Sequence, residues 1–342
     1  MVTQNVPLRR IGKNGPLVPG MGLGLMGMSS LYGTPPSDEE RFAVLDRAIE
    51  LGATHWDSSD IYGDNEELLG KWFKRSGKRD QVFLATKFGF LKGSSTEIDS
   101  SAASCKNACA ESLKLLGVDY IDLYYMHRAN PKTPIEETMR ALLELKHEGK
   151  IKHIGLSEVS SNTLRRACKV GQVDVVQIEY SAFDLDIESS KGTNLMATAR
   201  ELGVTIVAYA PLGRGLLTGA LDSKQSISSE GDYRNIFPRF SDENVAANIK
   251  VVNEFKAMAV NKGCSPAQLA IAWVMKQGPD LIPIPGTKRV KYLEENVGAL
   301  HIQLTHEEEA EVRRIVSGVK GERVPDWATY QCYVDTVEEI RG

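Results

Sequence analysis

The sequence predicts an α/β fold, a (β/α)8 TIM barrel with an N-terminal β-hairpin and an extra C-terminal helix, with residues 1–342 forming one domain. Three observations carry this prediction. Apolar β-like runs alternate with helix-like stretches until about residue 300, and βαβα order builds a parallel sheet. The runs number eight, which over this length suits a closed barrel better than an open doubly wound sheet. The phosphate motif of the open alternative is incomplete. Gly22-Leu-Gly24-Leu-Met-Gly27 spells GxGxxG, but Met-Ser-Ser-Leu-Tyr-Gly-Thr-Pro-Pro follows where a helix would have to open, so these glycines read as strand and rim turn.

Along the chain, residues 6–18 read as a hairpin turning at Lys13-Asn-Gly15 and placed to plug the N-terminal end of the barrel. The barrel strands are expected at 21–25, 54–57, 82–86, 121–126, 151–156, 173–178, 205–208 and 281–284. Apolar residues three and four apart mark the helices between them, as in 39–51 with Phe42, Leu45 and Ile49, and 135–148 with Met139, Leu142 and Leu145. Ser37-Asp-Glu-Glu is a capping box that starts the first of these. Residues 213–244 form the longest irregular stretch, polar yet carrying Tyr233, Phe237 and Phe240, and read either as a lid, which the aromatic residues favour by giving it something to dock, or as a loose insertion. Two helices precede the eighth strand, and 305–316 is the extra late helix.

Composition excludes some function classes. With 42% apolar residues the chain can bury a large core, while a net charge of −4 and a pI near 6.0 give no global attraction to nucleic acid or to an anionic membrane. No run of eighteen apolar residues appears, and Met1-Val-Thr-Gln-Asn lacks the pattern of a signal peptide, so a cytoplasmic protein is expected. Five cysteines without CxxC argue against a disulfide framework or a thiolate zinc site, and Cys105 and Cys109 read as small buried thiols. His55 and Asp57 of His-Trp-Asp are expected to diverge across their strand, and nothing nearby completes a metal shell, so no metal is expected.

Asp57, Tyr62, Lys87 and His127 stand at or just beyond the ends of three apolar runs. One barrel rim then brings together an acid, a phenol, an ammonium and an imidazole, which is chemistry for moving a proton. A free tyrosine has a pKa of about 10. Lys87 is expected to lower it, Asp57 to pair with Lys87, and Tyr62 to serve as general acid or base. Singly, each residue has an ordinary reading: rim aromatic, solvated strand end, helix cap, core imidazole. Together on successive units they favour catalysis.

With these residues in this order, the chain resembles the aldo-keto reductase family over about residues 7–320, and within it the auxin-induced/yakc-like branch. Asp57…Tyr62-Gly63, Lys87 and His127 match the family's tetrad. Gly155-Leu-Ser157, Val-Gln177-Ile-Glu-Tyr, Ala-Tyr209-Ala-Pro-Leu-Gly and Pro283-Ile-Pro-Gly-Thr-Lys288, followed by Glu295-Asn296, match as well. The resemblance implies NADP(H)-dependent reduction of a small-molecule carbonyl, with Tyr62 as proton donor. It implies a nicotinamide stacked on Tyr209, with Ser157 and Gln177 bonded to its carboxamide and Gly24, Leu25 and Met26 beside its ribose. Leu212, Gly213, Arg214 and Gly215 would approach the pyrophosphate. Gly286, Thr287, Lys288 and Arg289 would hold the 2′-phosphate at a helix start, and Glu295 and Asn296 would meet the adenine. Asp57 belongs to both the catalytic and the cofactor sets. Two positions depart from the family pattern: Glu158 replaces the Asn that usually follows Ser157, and Tyr292 stands where many members place an Arg. The other readings of the same fold are an NADP-binding regulatory or sensor subunit with little turnover, and alcohol oxidation. The oligomeric state is not legible.

Overall fold

The computed structural model describes residues 6–94, 96–221 and 232–339. Strands β1 (Leu8–Arg10) and β2 (Leu17–Pro19) form an antiparallel hairpin. Eight further strands make one parallel sheet in sequential order: β3 (Leu23–Gly24), β4 (His55–Asp57), β5 (Phe83–Phe88), β6 (Ile121–Met126), β7 (Ile151–Ser157), β8 (Val175–Glu179), β9 (Thr205–Tyr209) and β10 (Leu281–Pro283). The sheet closes through a parallel bridge between Gly24 and Gly286, with the Gly22 and Gly24 N–H groups donating to the Pro283 and Pro285 carbonyls. All eight expected strands are present and 121–126 has its expected bounds. The first shrinks to two residues.

Strand alternation sorts the side chains into two layers. Ala85, Leu123, Tyr125, Val175, Val207, Ile282 and Ile284 fill the barrel, while their neighbours Trp56, Leu84, Tyr124, Leu156, Val176 and Ile206 pack in the outer core under the helices. The hairpin plugs the N-terminal end. Ile11 and Val18 join the inner cluster, and Thr205 Oγ1 accepts from the Gly12 N–H and donates to the Arg10 carbonyl. The turn itself differs from the expected two-residue Asn-Gly form. It runs from Ile11 to Pro16, its left-handed residue is Gly12 (φ 60°), and Gly15 is required because a Cβ there would lie 2.2 Å from the Ile11 oxygen.

The helices are α1 (Met26–Ser29), α2 (Asp38–Glu50), α3 (Asn65–Ser76), α4 (Ala102–Leu116), α5 (Ile135–His147), α6 (Ser161–Val170), α7 (Leu195–Leu202), α8 (Asp242–Lys262), α9 (Pro266–Lys276), α10 (Val290–Gly298) and α11 (His306–Val316). The Ser37–Glu40 capping box is formed, and Cys105 and Cys109 are buried on α4. One turn of helix, α1, does follow the Gly22–Gly27 glycines, contrary to the sequence reading. It ends at the extended Ser30, too short to be the phosphate-binding helix of an open sheet.

The segment 213–244 is more ordered than its composition suggests. Of it, 222–231 lies outside the described residues. The rest contains short 3₁₀ turns, Gly213–Thr218, Tyr233–Ile236 and Pro238–Phe240, and α8 begins at Asp242. Phe237 and Phe240 are buried, the Tyr233 N–H donates to the Leu31 carbonyl, and Asp232 bridges to Tyr32, so the segment is tied to the loop after β3. After α11 the tail returns over the barrel mouth, where Val334 pairs with Val159 and the Ser160 N–H donates to the Val334 carbonyl. Among the described residues no helix is long and apolar enough to cross a membrane.

Candidate active site

A cleft of about 1300 Å³ opens at the C-terminal ends of the strands, the end at which barrels of this kind place their chemistry. Its floor follows from the two-residue period of the strands. Asp57 ends β4 and Lys87 lies near the end of β5, both facing inward and buried. Lys87 Nζ donates to Asp57 Oδ1 at 2.5 Å and to the Ser58 carbonyl at 2.6 Å, and lies 3.5 Å from Tyr62 Oη. Beneath it sits the Tyr125 ring, 5.7 Å from Nζ, in space that only glycine leaves: a Cβ on Gly155 would fall 2.2 Å from that ring.

Tyr62 is aimed by the loop after β4. Its N–H donates to the Ser59 carbonyl, and Gly63 turns left-handed (φ 58°) against the Ser29 carbonyl. His127 follows β6, its N–H bound to the Phe88 carbonyl. Its ring stands edge-on to Tyr62 at 5.8 Å and to Phe90 at 5.1 Å. Ser59 Oγ lies 3.0 Å from His127 Nδ1 and 3.2 Å from Asp60 Oδ1, which leaves Nε2 for the cleft. The four residues expected to act together therefore do meet.

The electrostatics correct one expectation. Burial pushes the Tyr62 phenol above its usual value; Lys87 opposes this without overcoming it. Tyr62 therefore carries its proton at neutral pH rather than being poised as phenolate. Burial by itself would discharge Lys87, but the Asp57 charge and hydrogen bond outweigh it and the ammonium is raised. Burial, with Arg128 and Lys87 nearby, drives His127 well below its usual value, so the ring is neutral. His55 does not diverge from Asp57: two residues apart on β4, both face inward, as the strand period dictates, and burial lowers His55 to about 4. Among the described residues no group of three or more His, Cys, Asp or Glu is arranged to hold a metal.

All the remaining expected residues except Gly213 line the same cleft: Gly24, Leu25, Met26, Ser157, Gln177, Tyr209, Leu212, Arg214, Gly215, Gly286, Thr287, Lys288, Arg289, Glu295 and Asn296. Several hold partners of their own. Gln177 Nε2 donates to Asp57 Oδ2 at 2.7 Å, joining it to the floor. Lys288 Nζ donates to the Tyr32 carbonyl at 2.8 Å, so it bridges two rims of the cleft. The Arg214 side chain does not reach along the cleft as expected. Its guanidinium donates to Glu179 Oε2 at 2.8 Å and stacks 3.9 Å from the Phe237 ring centre, because the buried Glu179 carboxylate needs a counterion. The Gly213 and Gly215 N–H groups, expected at a pyrophosphate, donate to the Ala210 and Leu212 carbonyls.

Glu158 has a structural partner that sequence reasoning missed. Arg323, from the tail, grips both carboxylate oxygens at 2.7 and 2.8 Å, and Tyr209 Oη donates to Oε1 at 2.7 Å. Burial would raise Glu158, but Arg323 outweighs it and the carboxyl is lowered to about 2. Ser59, Glu179 and Arg323 were all overlooked. Ser59 continues the inward alternation of Asp57 and Glu179 that of Gln177, so a strict period-two reading would have found both; Arg323 lies in a tail with no periodic signal.

Residues 20–317 match the model of the aldo/keto reductase family. The chain is 50% identical over 325 residues to aldo-keto reductase str7 of Strobilurus tenacellus, covering 93% of this chain and 95% of that one. It is 46% identical over 339 residues to aldo-keto reductase yakc [NADP(+)] of Schizosaccharomyces pombe, covering 97% and 98%. Among solved structures, a glycerol dehydrogenase from Gluconobacter oxydans superposes with a TM-score of 0.80 at 26% identity, covering 93% and 96%. A thermostable aldo-keto reductase in complex with the inhibitor epalrestat gives 0.70 at 29%, covering 90% and 99%. With its eight-stranded barrel and rim cleft, the chain belongs to the aldo/keto reductase family.

Proposed function

We propose that this protein reduces an aldehyde or ketone to the alcohol with NADPH, Tyr62 giving the proton. One observation carries the reading: an ammonium fixed by a buried carboxylate lies 3.5 Å from a phenol that keeps its proton, at the floor of the cleft. The residues present also suit a dinucleotide phosphate. Gly24 and Gly286 bring bare backbone to the cleft wall, where a Cβ on Gly24 would lie 2.8 Å from the Ile284 oxygen. Lys288, Arg289 and Lys291 line the cleft around the start of α10, and among the described residues none of the three forms a salt bridge, so that end of the cleft draws phosphates. The yeast relative is named for NADP(+), and we assign the same cofactor here.

When bound, the nicotinamide supplies the hydride. Tyr62 protonates the carbonyl oxygen as charge develops on it, and Lys87 stabilises the phenolate left behind. Asp57 and Gln177 fix Lys87 and keep its charge paired. His127, neutral and held at Nδ1 by Ser59, presents Nε2 to the carbonyl and shares its developing negative charge. Tyr209 offers a ring face for stacking, held in place through its hydroxyl by Glu158. The test is NADPH consumption against a panel of aldehydes, ketones and quinones, with NADH as control. No consumption with any member of the panel would refute the reading.

A further inference from the structure

The wall beside His127 carries a cation that carbonyl reduction as proposed does not use. Arg128 lines the cleft and follows His127 directly. Its Nη1 donates to the His127 carbonyl at 2.8 Å and to Ser157 Oγ at 3.4 Å, while Nε is buried with no hydrogen-bond partner. Those partners are neutral. Among the described residues Arg128 forms no ion pair. Glu158, whose charge it feels, is already filled by Arg323 and Tyr209.

The other cations of the cleft are engaged elsewhere. Arg214 pairs with Glu179, Arg234 pairs with Asp232, and Lys288 bonds the Tyr32 carbonyl. Arg289 and Lys291 stand at the start of α10. Arg128 is therefore the guanidinium at the Tyr62 and His127 end. The wall around it is aromatic: the guanidinium lies 5.7 Å from the Phe90 ring centre, and Trp327 lines the same cleft. A half-buried guanidinium with only neutral partners is costly, and apolar walls strengthen its attraction for an anion. A planar carboxylate suits its fork.

On this basis, and resting on the carbonyl-reductase reading, we propose that the cleft selects carbonyl substrates that carry a carboxylate, held by Arg128 while the C=O meets Tyr62 and His127. The carboxylate takes no part in bond making. Hydride adds to the carbonyl carbon, the Tyr62 proton goes to its oxygen, and solvent returns a proton to Tyr62.

The experiment compares kcat/KM with NADPH for 4-carboxybenzaldehyde and for its uncharged methyl ester, in the wild type and in Arg128→Met and Arg128→Lys. The acid-to-ester ratio should fall about tenfold or more in Arg128→Met, the loss of one charge-assisted contact, and Arg128→Lys should recover part of it. In the wild type alone, added salt should lower kcat/KM for the acid more than for the ester. An acid-to-ester ratio that is the same in wild type and Arg128→Met, or equal salt dependence of the two substrates, overturns the proposal while leaving carbonyl reduction standing. Failure of both substrates with every enzyme would instead strike the underlying reading.

Discussion

Ser59 has one hydroxyl proton and two neighbours for it, His127 Nδ1 and Asp60 Oδ1. Burial, helped by the Glu66 charge, pushes the Asp60 carboxyl up to about 7. Below that pH the protonated carboxyl leaves the Ser59 proton to Nδ1, so the imidazole carries its own proton on Nε2 and donates to the carbonyl. Above it the carboxylate draws the Ser59 proton and the tautomer reverses. Reductive kcat/KM should therefore fall as pH rises through about 7, and Asp60→Asn should flatten that limb; a wild-type rate level between about pH 6 and pH 8 contradicts this. Tyr62→Phe should keep NADPH binding and lose about a hundredfold or more in kcat. Lys87→Met removes the larger of the two cations, Lys87 and Arg128, that oppose the burial of the phenol, so turnover should drop and the part of the pH profile set by the phenol should move upward. An unchanged pH–rate curve for Lys87→Met would separate the two residues.

At the scale of elements, the start of α10 and the segment 213–244 govern cofactor capture. Replacing Lys288 with Ala should weaken NADPH by about 1–3 kcal/mol, the range for a charge-assisted contact, and leave NADH nearly unchanged. Since Lys288 also bonds the Tyr32 carbonyl, equal weakening of both cofactors would reveal that rim contact as its main role. We expect limited proteolysis to cut within 213–244 readily in the free protein and slowly with NADPH. Cleavage at the same rate with and without cofactor would leave a permanently packed insertion. Strand and helix positions were legible because the apolar period is local to each element, down to the bounds of 121–126. The quartet was legible for the same reason, three of its members ending or adjoining inward-facing runs. What composition hid was the pairing of charges across the barrel: Arg214 with Glu179, and Arg323 with Glu158. The sign of the net Tyr62 shift was hidden as well, because burial is a property of the assembled rim and not of any sequence window.

For the whole molecule, the Glu158–Arg323 pair ties the tail to the barrel mouth. Glu158 is held at about 2 against an ordinary 4.5, so the pair contributes stability that is present above about pH 4.5 and is lost as pH falls toward 2. Arg323→Met leaves a buried carboxylate without a counterion and should cost about 3–5 kcal/mol at neutral pH. Because that stranded group would be relieved by protonation, its deficit should narrow in acid, and adding Glu158→Gln should recover part of it. Denaturant melts at neutral and acid pH check both; a deficit independent of pH would mean that Arg323 acts through packing alone. The same pair has a consequence for how the molecule comes into being. Synthesis runs from the N-terminus, so every barrel strand has been made before Arg323 is added. Until then Glu179 can already pair with Arg214, but Glu158 lacks the guanidinium that grips both its oxygens, so the mouth of the barrel is completed by a residue made forty positions after the last strand.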